Sequence, residues 1–249
     1  MLCRVEDAGI NASAPSQQRW MDGWLVRYNP GKAKRARCIN AVAPGRLPLA
    51  DKLRLAAPVF EEAQLPMVVR ITPFSQPSGL DDHLAAAGFG QIDDTRVMVC
   101  TTPPDVQDKC TLPPDTEWVS LPPADFAQAV GELRNSPPGQ RIAHAERLIG
   151  SPVPYQGYAI RRLADGAVLA CGQFAREGDL VGLYDITTAV ESRNQGFATL
   201  LCKRLLSISF NQGAKVSYLQ VEADNRPACH IYGRMGFQEG YAYHYRVAP

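Results

Sequence analysis

The sequence predicts a mixed α/β chain of the α+β kind, in which helices flank a mostly antiparallel sheet. Three observations carry that expectation. Strand-like runs at Tyr158 to Leu163, Val168 to Ala175 and Leu180 to Thr188 are separated by Asp165-Gly166 and Glu177-Gly178, and Asp-Gly between such runs marks a hairpin. The last of these runs leads through Arg193-Asn194-Gln195-Gly196-Phe197-Ala198 into an apolar run with helical spacing (Ala198, Leu200, Leu201, Leu205, Leu206). The order helix, strand, helix, Gly-Phe, strand also occurs twice along the chain.

In the first occurrence an apolar helix (Leu49 to Ala63) precedes a strand at Met67 to Thr72, a helix at Leu80 to Ala87, Gly88-Phe89, and a strand at Arg96 to Cys100. Thr101 to Pro114 then carries two Pro-Pro pairs and little apolar periodicity, and reads as a linker. The expected organisation is a first unit at 1–103, a linker at 104–114 and a second unit at 115–249. The second unit opens with helices at Asp125 to Arg134 and Arg141 to Ile149, followed by the three-strand meander and the helix after Gly196. A strand (Val216 to Ala223) then runs into Asp224-Asn225-Arg226-Pro227 and a helix to Arg234, with proline in the first turn, where a missing N–H costs nothing. Gly236-Phe237 and a Tyr-rich strand close it.

Val68 precedes Phe89 by 21 residues, as Val216 precedes Phe237 by 21, which marks an internal repeat. At that offset Pro48 stands opposite Gly196, Pro77 opposite Asn225 and Leu84 opposite Tyr232. Proline has no amide to donate, so the polar groups of the second copy have no counterparts in the first.

A strand, a glycine-bearing turn and a helix N-terminus form a general device for holding phosphate. The first helical amides have no intrahelical partner, and the helix dipole adds partial positive charge. Gly196 permits close backbone approach and Ala198 keeps the next turn thin. Together, R-N-Q-G-F-A, V-E-A-D-N, a tyrosine (Tyr232) seven residues after Asn225, and Gly236-Phe237 resemble the GCN5-related N-acetyltransferase (GNAT) superfamily, specifically over about residues 180 to 247 and more weakly over 113 to 180. The resemblance implies tandem GNAT-like folds, each with a splayed central sheet, of which the first is a degenerate, non-catalytic half. It implies an N-acetyltransferase that moves acetyl from acetyl-CoA to a primary amine of a small molecule or peptide by direct attack on the thioester, without a metal.

By the same resemblance, Arg193, Asn194, Gln195, Gly196, Phe197, Ala198 and Thr199 would bind the pyrophosphate, and Ile186, Thr187 and Thr188 the pantetheine arm. Asn225 would bond the pantetheine amide, or cap the helix it precedes. Tyr232 would protonate the departing thiolate, or cover the sheet as an amphipathic helix residue. Some relatives carry a glutamate five residues before the Asn; here that position is Gln220, which cannot accept a proton. Glu222, on the same strand face, is the nearest replacement, with Asp185 or a water chain as alternatives. A coenzyme-A-binding regulatory or scaffold protein without strong turnover is the competing reading.

Composition excludes other classes. The 249 residues are 45% hydrophobic and 20% charged with a formal net charge of +1, which gives no electrostatic reason for nucleic-acid binding. The basic cluster Lys32, Lys34, Arg35 and Arg37 reads either as a solvated hairpin arm or as a contact for an anionic substrate. Seven scattered cysteines without a C-x-x-C pair argue for reduced, mostly buried thiols rather than zinc or disulfides. No apolar stretch approaches the ~20 residues that span a bilayer, and no signal pattern opens the chain, so a cytoplasmic monomer or homodimer is expected. Phosphate-binding G-x-x-x-x-G-K-[ST] and G-x-G-x-x-G motifs are absent. Cys229, His230 and His244 invite a nucleophile reading, but no positioned acid accompanies them and adjacent helix residues diverge.

Overall fold

The computed structural model describes residues 1–102 and 111–249, so the expected linker at 104–114 and Cys110 lie largely outside the described residues. The first part of the chain forms α1 (Leu2–Ala12), β1 (Gln18–Met21), β2 (Trp24–Arg27), β3 (Ile39–Ala41), α2 (Leu49–Glu62), β4 (Val68–Ile71), α3 (Leu80–Ala86) and β5 (Gly90–Cys100). The second forms β6 (Thr116–Leu121), α4 (Pro123–Leu133), α5 (Pro138–Ile149), β7 (Tyr155–Arg162), β8 (Val168–Glu177) and β9 (Leu180–Thr188). It continues with α6 (Phe197–Asn211), β10 (Val216–Glu222), α7 (Arg226–Arg234) and β11 (Gln238–Val247). The expected helices and strands are all present, within about three residues at their ends except for β5, which begins at Gly90 rather than Arg96. Sequence reading missed α1, β1 to β3 and β6. The repeat has a structural counterpart: α2 and α6, β4 and β10, and β5 and β11 each begin 148 residues apart.

All the described strands join one sheet in the order β1-β2-β3-β4-β11-β5-β10-β9-β8-β7-β6. The pairs β3–β4 and β9–β10 are parallel, and the rest are antiparallel. The final strand of each half is inserted into the other. β5 runs from Ser217↔Cys100 to Glu222↔Thr95 along β10, and β11 pairs with both β5 and β4. The described strands before residue 103 and after residue 110 therefore share one sheet.

Side-chain alternation along β5 separates the layers. Val97 and Val99 enter a core beneath α1, α4 and α5, which holds the buried tyrosines Tyr155, Tyr184, Tyr218, Tyr241, Tyr243 and Tyr245. Met98 and Cys100 enter the opposite core, under Leu201, Leu205 and Leu206 of α6. On the first half Ala56, Val59 and Phe60 of α2 and Leu80 and Leu84 of α3 cover the sheet. No helix among the described residues is long and apolar enough to cross a membrane.

α1 crosses the junction of the halves. Val5, Ala8 and Ala12 sit in the tyrosine core, and a Cβ added to Gly9 would lie 3.0 Å from Gln220 Nε2, so the helix rests directly on β10. Glu6 anchors it: Arg70 of β4 donates to its carboxylate through both Nη atoms (Nη2 at 3.1 Å), and Tyr241 of β11 donates at 2.5 Å. The Arg70 guanidinium also lies 3.9 Å from the centre of the Tyr243 ring. Glu6 and Arg70 are 6% and 3% exposed, so neither charge has water as a substitute partner. Glu6→Ala leaves Arg70 charged and buried. It is expected to destabilise the fold by about 3–5 kcal/mol, read as a lower denaturant midpoint with unchanged cooperativity.

Candidate active site

β9 and β10 pair from Leu180/Val216 to Leu183/Leu219 and then part. A bulge in β9 turns it away. The β8 register slips between Cys171 and Gln173, and Asp185 takes a φ of 55°. Gly172 makes room for the bulge, since a Cβ there would lie 2.5 Å from Ile186 Cδ1. Ile186, Thr187 and Thr188 therefore line an edge of β9 that β10 does not cover.

After a short 3-10 turn (Val190–Ser192), Asn194 and Gly196 adopt left-handed φ values of 60° and 84°, and α6 begins at Phe197. Its first backbone bond runs from Leu200 N to Gly196 O at 3.0 Å. The amides of Asn194 to Thr199 serve in none of the described loop or turn hydrogen bonds, and no acidic residue stands in the first turn of α6. Arg193, Asn194, Gln195 and Gly196 are exposed.

The matching corner of the first half is closed from within. Pro48 caps α2 where Gly196 caps α6. The amides of Arg46 and Leu47 donate to the Asp22 carboxylate at 2.8 and 2.9 Å, which holds that carboxyl below its usual range. Lys52, 1% exposed, adds an ion pair at 3.2 Å.

At the head of α7, Asn225 Oδ1 accepts from Ala228 N at 3.3 Å, which makes it the helix cap and leaves its Nδ2 unspent. Tyr232 is half-buried and meets Phe237 edge-on, with centroids 6.0 Å apart. Its hydroxyl takes part in none of the described hydrogen bonds, and burial pushes the phenol well above its ordinary pKa.

Asn225, Tyr232 and Glu222 share the wall of a cavity of about 550 Å³ with residues from both halves. Arg35 reaches across from the first half and donates from Nη1 to Gln220 Oε1 at 2.8 Å, and Tyr243 OH donates to the same oxygen at 2.8 Å. The solvated-arm expectation thus fails for Arg35, whose Nε is buried without a partner. Burial disfavours the Tyr243 phenolate, but the charges of Arg35 and Arg70 outweigh that and lower its pKa.

Asp185 accepts from Arg134 at 2.8 Å and Gln173 at 2.8 Å, and lies 3.4 Å from His144 Nε2. Burial opposes its charge, but the adjacent His144 ring and the Arg134 charge overcome this and hold the carboxyl well below the usual range. Such a carboxylate is a poor proton acceptor near neutral pH. Arg141, His144 and Arg147 all line the cavity and recur every third residue on α5. That spacing was the available signal for a basic helix face, and it escaped the sequence reading.

Lys34 pairs with Asp93, Arg134 with Asp185 and Arg141 with Glu132. Lys32, Arg35, Arg37 and Arg147 line the same cavity with no ion pair to a carboxylate among the described residues. Cys229, His230 and His244 are not assembled: Cys229 Sγ points to the Glu222 carbonyl, His230 is exposed, and His244 is 2.9 Å from Asp81. Four of the six described cysteines are buried and all six are free, whereas no group of three metal-ligating side chains occurs among the described residues.

Comparison with known proteins agrees with this architecture. Residues 2–246 match the family described as "Probable histone acetyltransferase Rv0428c C-terminal". The "Uncharacterized N-acetyltransferase YobR" of Bacillus subtilis (strain 168) is 27% identical over 239 residues, covering 92% of each chain. Among solved structures, a GCN5-related N-acetyltransferase from Kribbella flavida superposes with a TM-score of 0.69 at 14% identity, over 100% of this chain and 96% of its own. A tandem GNAT protein from the clavulanic acid biosynthesis pathway gives 0.64 at 16% identity, over 83% and 72%.

Proposed function

For a chain that belongs to the Rv0428c C-terminal acetyltransferase family, and is therefore an N-acetyltransferase of GNAT type, we propose acetyl transfer from acetyl-CoA to a primary amine of a small molecule or peptide. The observation that carries the donor assignment is the set of unspent amides from Asn194 to Thr199 beside the gap between β9 and β10. These amides suit a pyrophosphate, with Arg193 adding charge. Ile186, Thr187 and Thr188 offer strand-edge groups to the pantetheine arm, and Asn225 Nδ2 is free for its amide while Oδ1 caps α7.

The thioester is already activated, so the protein's task is positioning and proton traffic. The amine must lose its proton before its lone pair attacks the carbonyl carbon. Glu222, exposed on the cavity wall, takes that proton directly or through water, while Gln220 cannot and Asp185 is held in its ion pairs. As the C–N bond forms and the C–S bond breaks, Tyr232 gives its proton to the sulfur and recovers one from solvent. Its raised pKa keeps the phenol protonated throughout the neutral range.

The first half serves as a non-catalytic partner. Asp22 occupies the position that a phosphate would take there, and Pro48 removes an amide. Titration calorimetry is therefore expected to saturate at about one coenzyme A per chain; saturation at two overturns this assignment.

Gly196→Asp places a carboxylate against the cradle at a left-handed position. Coenzyme A binding is expected to be lost while thermal unfolding stays cooperative. Tyr232→Phe keeps the ring against Phe237 but removes the transferable proton. Coenzyme A affinity should barely change while kcat falls by about 10²–10⁴-fold. A fall below roughly threefold, with chemistry limiting, makes Tyr232 a packing residue.

A further inference from the structure

We propose that the acceptor is a small amine that also bears an oxyanion, a carboxylate or a phosphate, bound by Arg35 and Arg147 in the cavity between the halves. This rests on the acetyl-transfer reading for its chemistry but on different residues for its evidence.

The cavity is far more basic than the chain. Its size, about 550 Å³, suits a small molecule. The +1 net charge of the whole protein gives no reason for cations to gather here, yet Lys32, Arg35, Arg37 and Arg147 line the wall without a carboxylate ion-pair partner among the described residues. The acids nearby do not balance them. Asp93 is taken by Lys34, and Asp185 is shared by Arg134 and His144, with Arg147 acting on it only at longer range and not as an ion pair. Glu222, the remaining lining carboxylate, stands on the strand beside the proposed transfer site, where an ammonium or its proton would be held.

Arg35 is the informative side chain. Its contacts are neutral: the Gln220 carbonyl oxygen at 2.8 Å and the Tyr243 hydroxyl at 3.4 Å. Its Nε is buried and bonded to nothing. A glutamate at position 220 would neutralise Arg35, whereas glutamine holds it in place and leaves its charge available. A guanidinium so placed suits bidentate binding of an oxyanion. Arg147, with its guanidinium 5.8 Å from the centre of the Tyr155 ring, supplies a second such group from α5.

Arg35 lies against the tyrosines on the face of the sheet opposite α6, so the charge is separate from the proposed pyrophosphate cradle. The same field disfavours a lysine-rich tail, since each added cation in the cavity is repelled.

The test uses matched amines that differ by one anionic group: lysine against cadaverine, and phosphoethanolamine against ethanolamine, with a lysine-rich peptide as a third arm. Binding is measured by calorimetry with coenzyme A present, and acetylation by thiol release. The anionic member of at least one pair is expected to bind at least tenfold more tightly, and the two pairs tell carboxylate from phosphate. Gln220→Glu gives Arg35 a carboxylate partner, and Arg147→Gln removes the second cation; each should shrink the within-pair ratio at least threefold. Coenzyme A affinity reports that the variants are folded. Equal binding within both pairs, no measurable binding of any member, tightest binding of the peptide, or ratios unchanged in both variants overturns the proposal. If the anionic preference is present but no amine is acetylated, acetyl transfer fails and the binding assignment stands.

Discussion

The exchange of β5 and β11 is the constraint on which the rest of the molecule depends. Neither half completes its own sheet: β10 has β5 as its outer neighbour, and β4 has β11. The backbone donors and acceptors of four central strands are thus satisfied across the junction, where an unpaired edge would cost several hydrogen bonds. Because the two halves are locked in register, the arm carrying Arg35 is held at a fixed place over β10. The cavity inherits its second wall from that pairing.

The buried polar layer follows from the same arrangement. α1 lies over the seam, and Glu6 meets Arg70 and Tyr241 from strands on either side of the exchange. Arg27, 1% exposed, donates to Ser13 Oγ, to the Ile10 and Arg35 carbonyls and to Gln18. Such groups contribute little net free energy compared with apolar packing. They do make alternative positions of the helix and arm expensive, since a displaced arginine would remain buried without partners.

Much of the second half was legible because its local signals agree. Asp165-Gly166, the apolar spacing after Gly196 and Pro227 in the first turn of α7 each fix a boundary by local sterics or hydrogen bonding. The GNAT architecture and the acetyltransferase class came from the resemblance to that family carried by the motifs around Gly196, Asn225 and Tyr232. The exchange itself was not legible. A strand's alternation reports which residues face the core but not which neighbour it pairs with, so β11 reads the same beside β10 or beside β5. β1 to β3 are only three or four residues long, too short for periodicity to register. α1 was overlooked although its apolar residues recur at helical spacing. Arg35 was misjudged because charge clusters are usually solvated, and its burial comes from β10 and β11, nearly 200 residues away.

Asp22 supplies the first half with an anion of its own. Where a carboxylate of the protein itself accepts from the loop amides, the corner becomes part of the fold's own framework. Lys52 is then held by the Asp22 carboxylate, and its ammonium also donates to the Asp22 and Pro44 carbonyls. Placing Gly at Pro48 alone would not open the corner, because the anion already bound there is covalently attached. Removing Asp22 alone would leave a buried ammonium short of a partner. Opening this corner to an external anion would therefore require several simultaneous changes, because Asp22, Lys52 and Pro48 each help to close it.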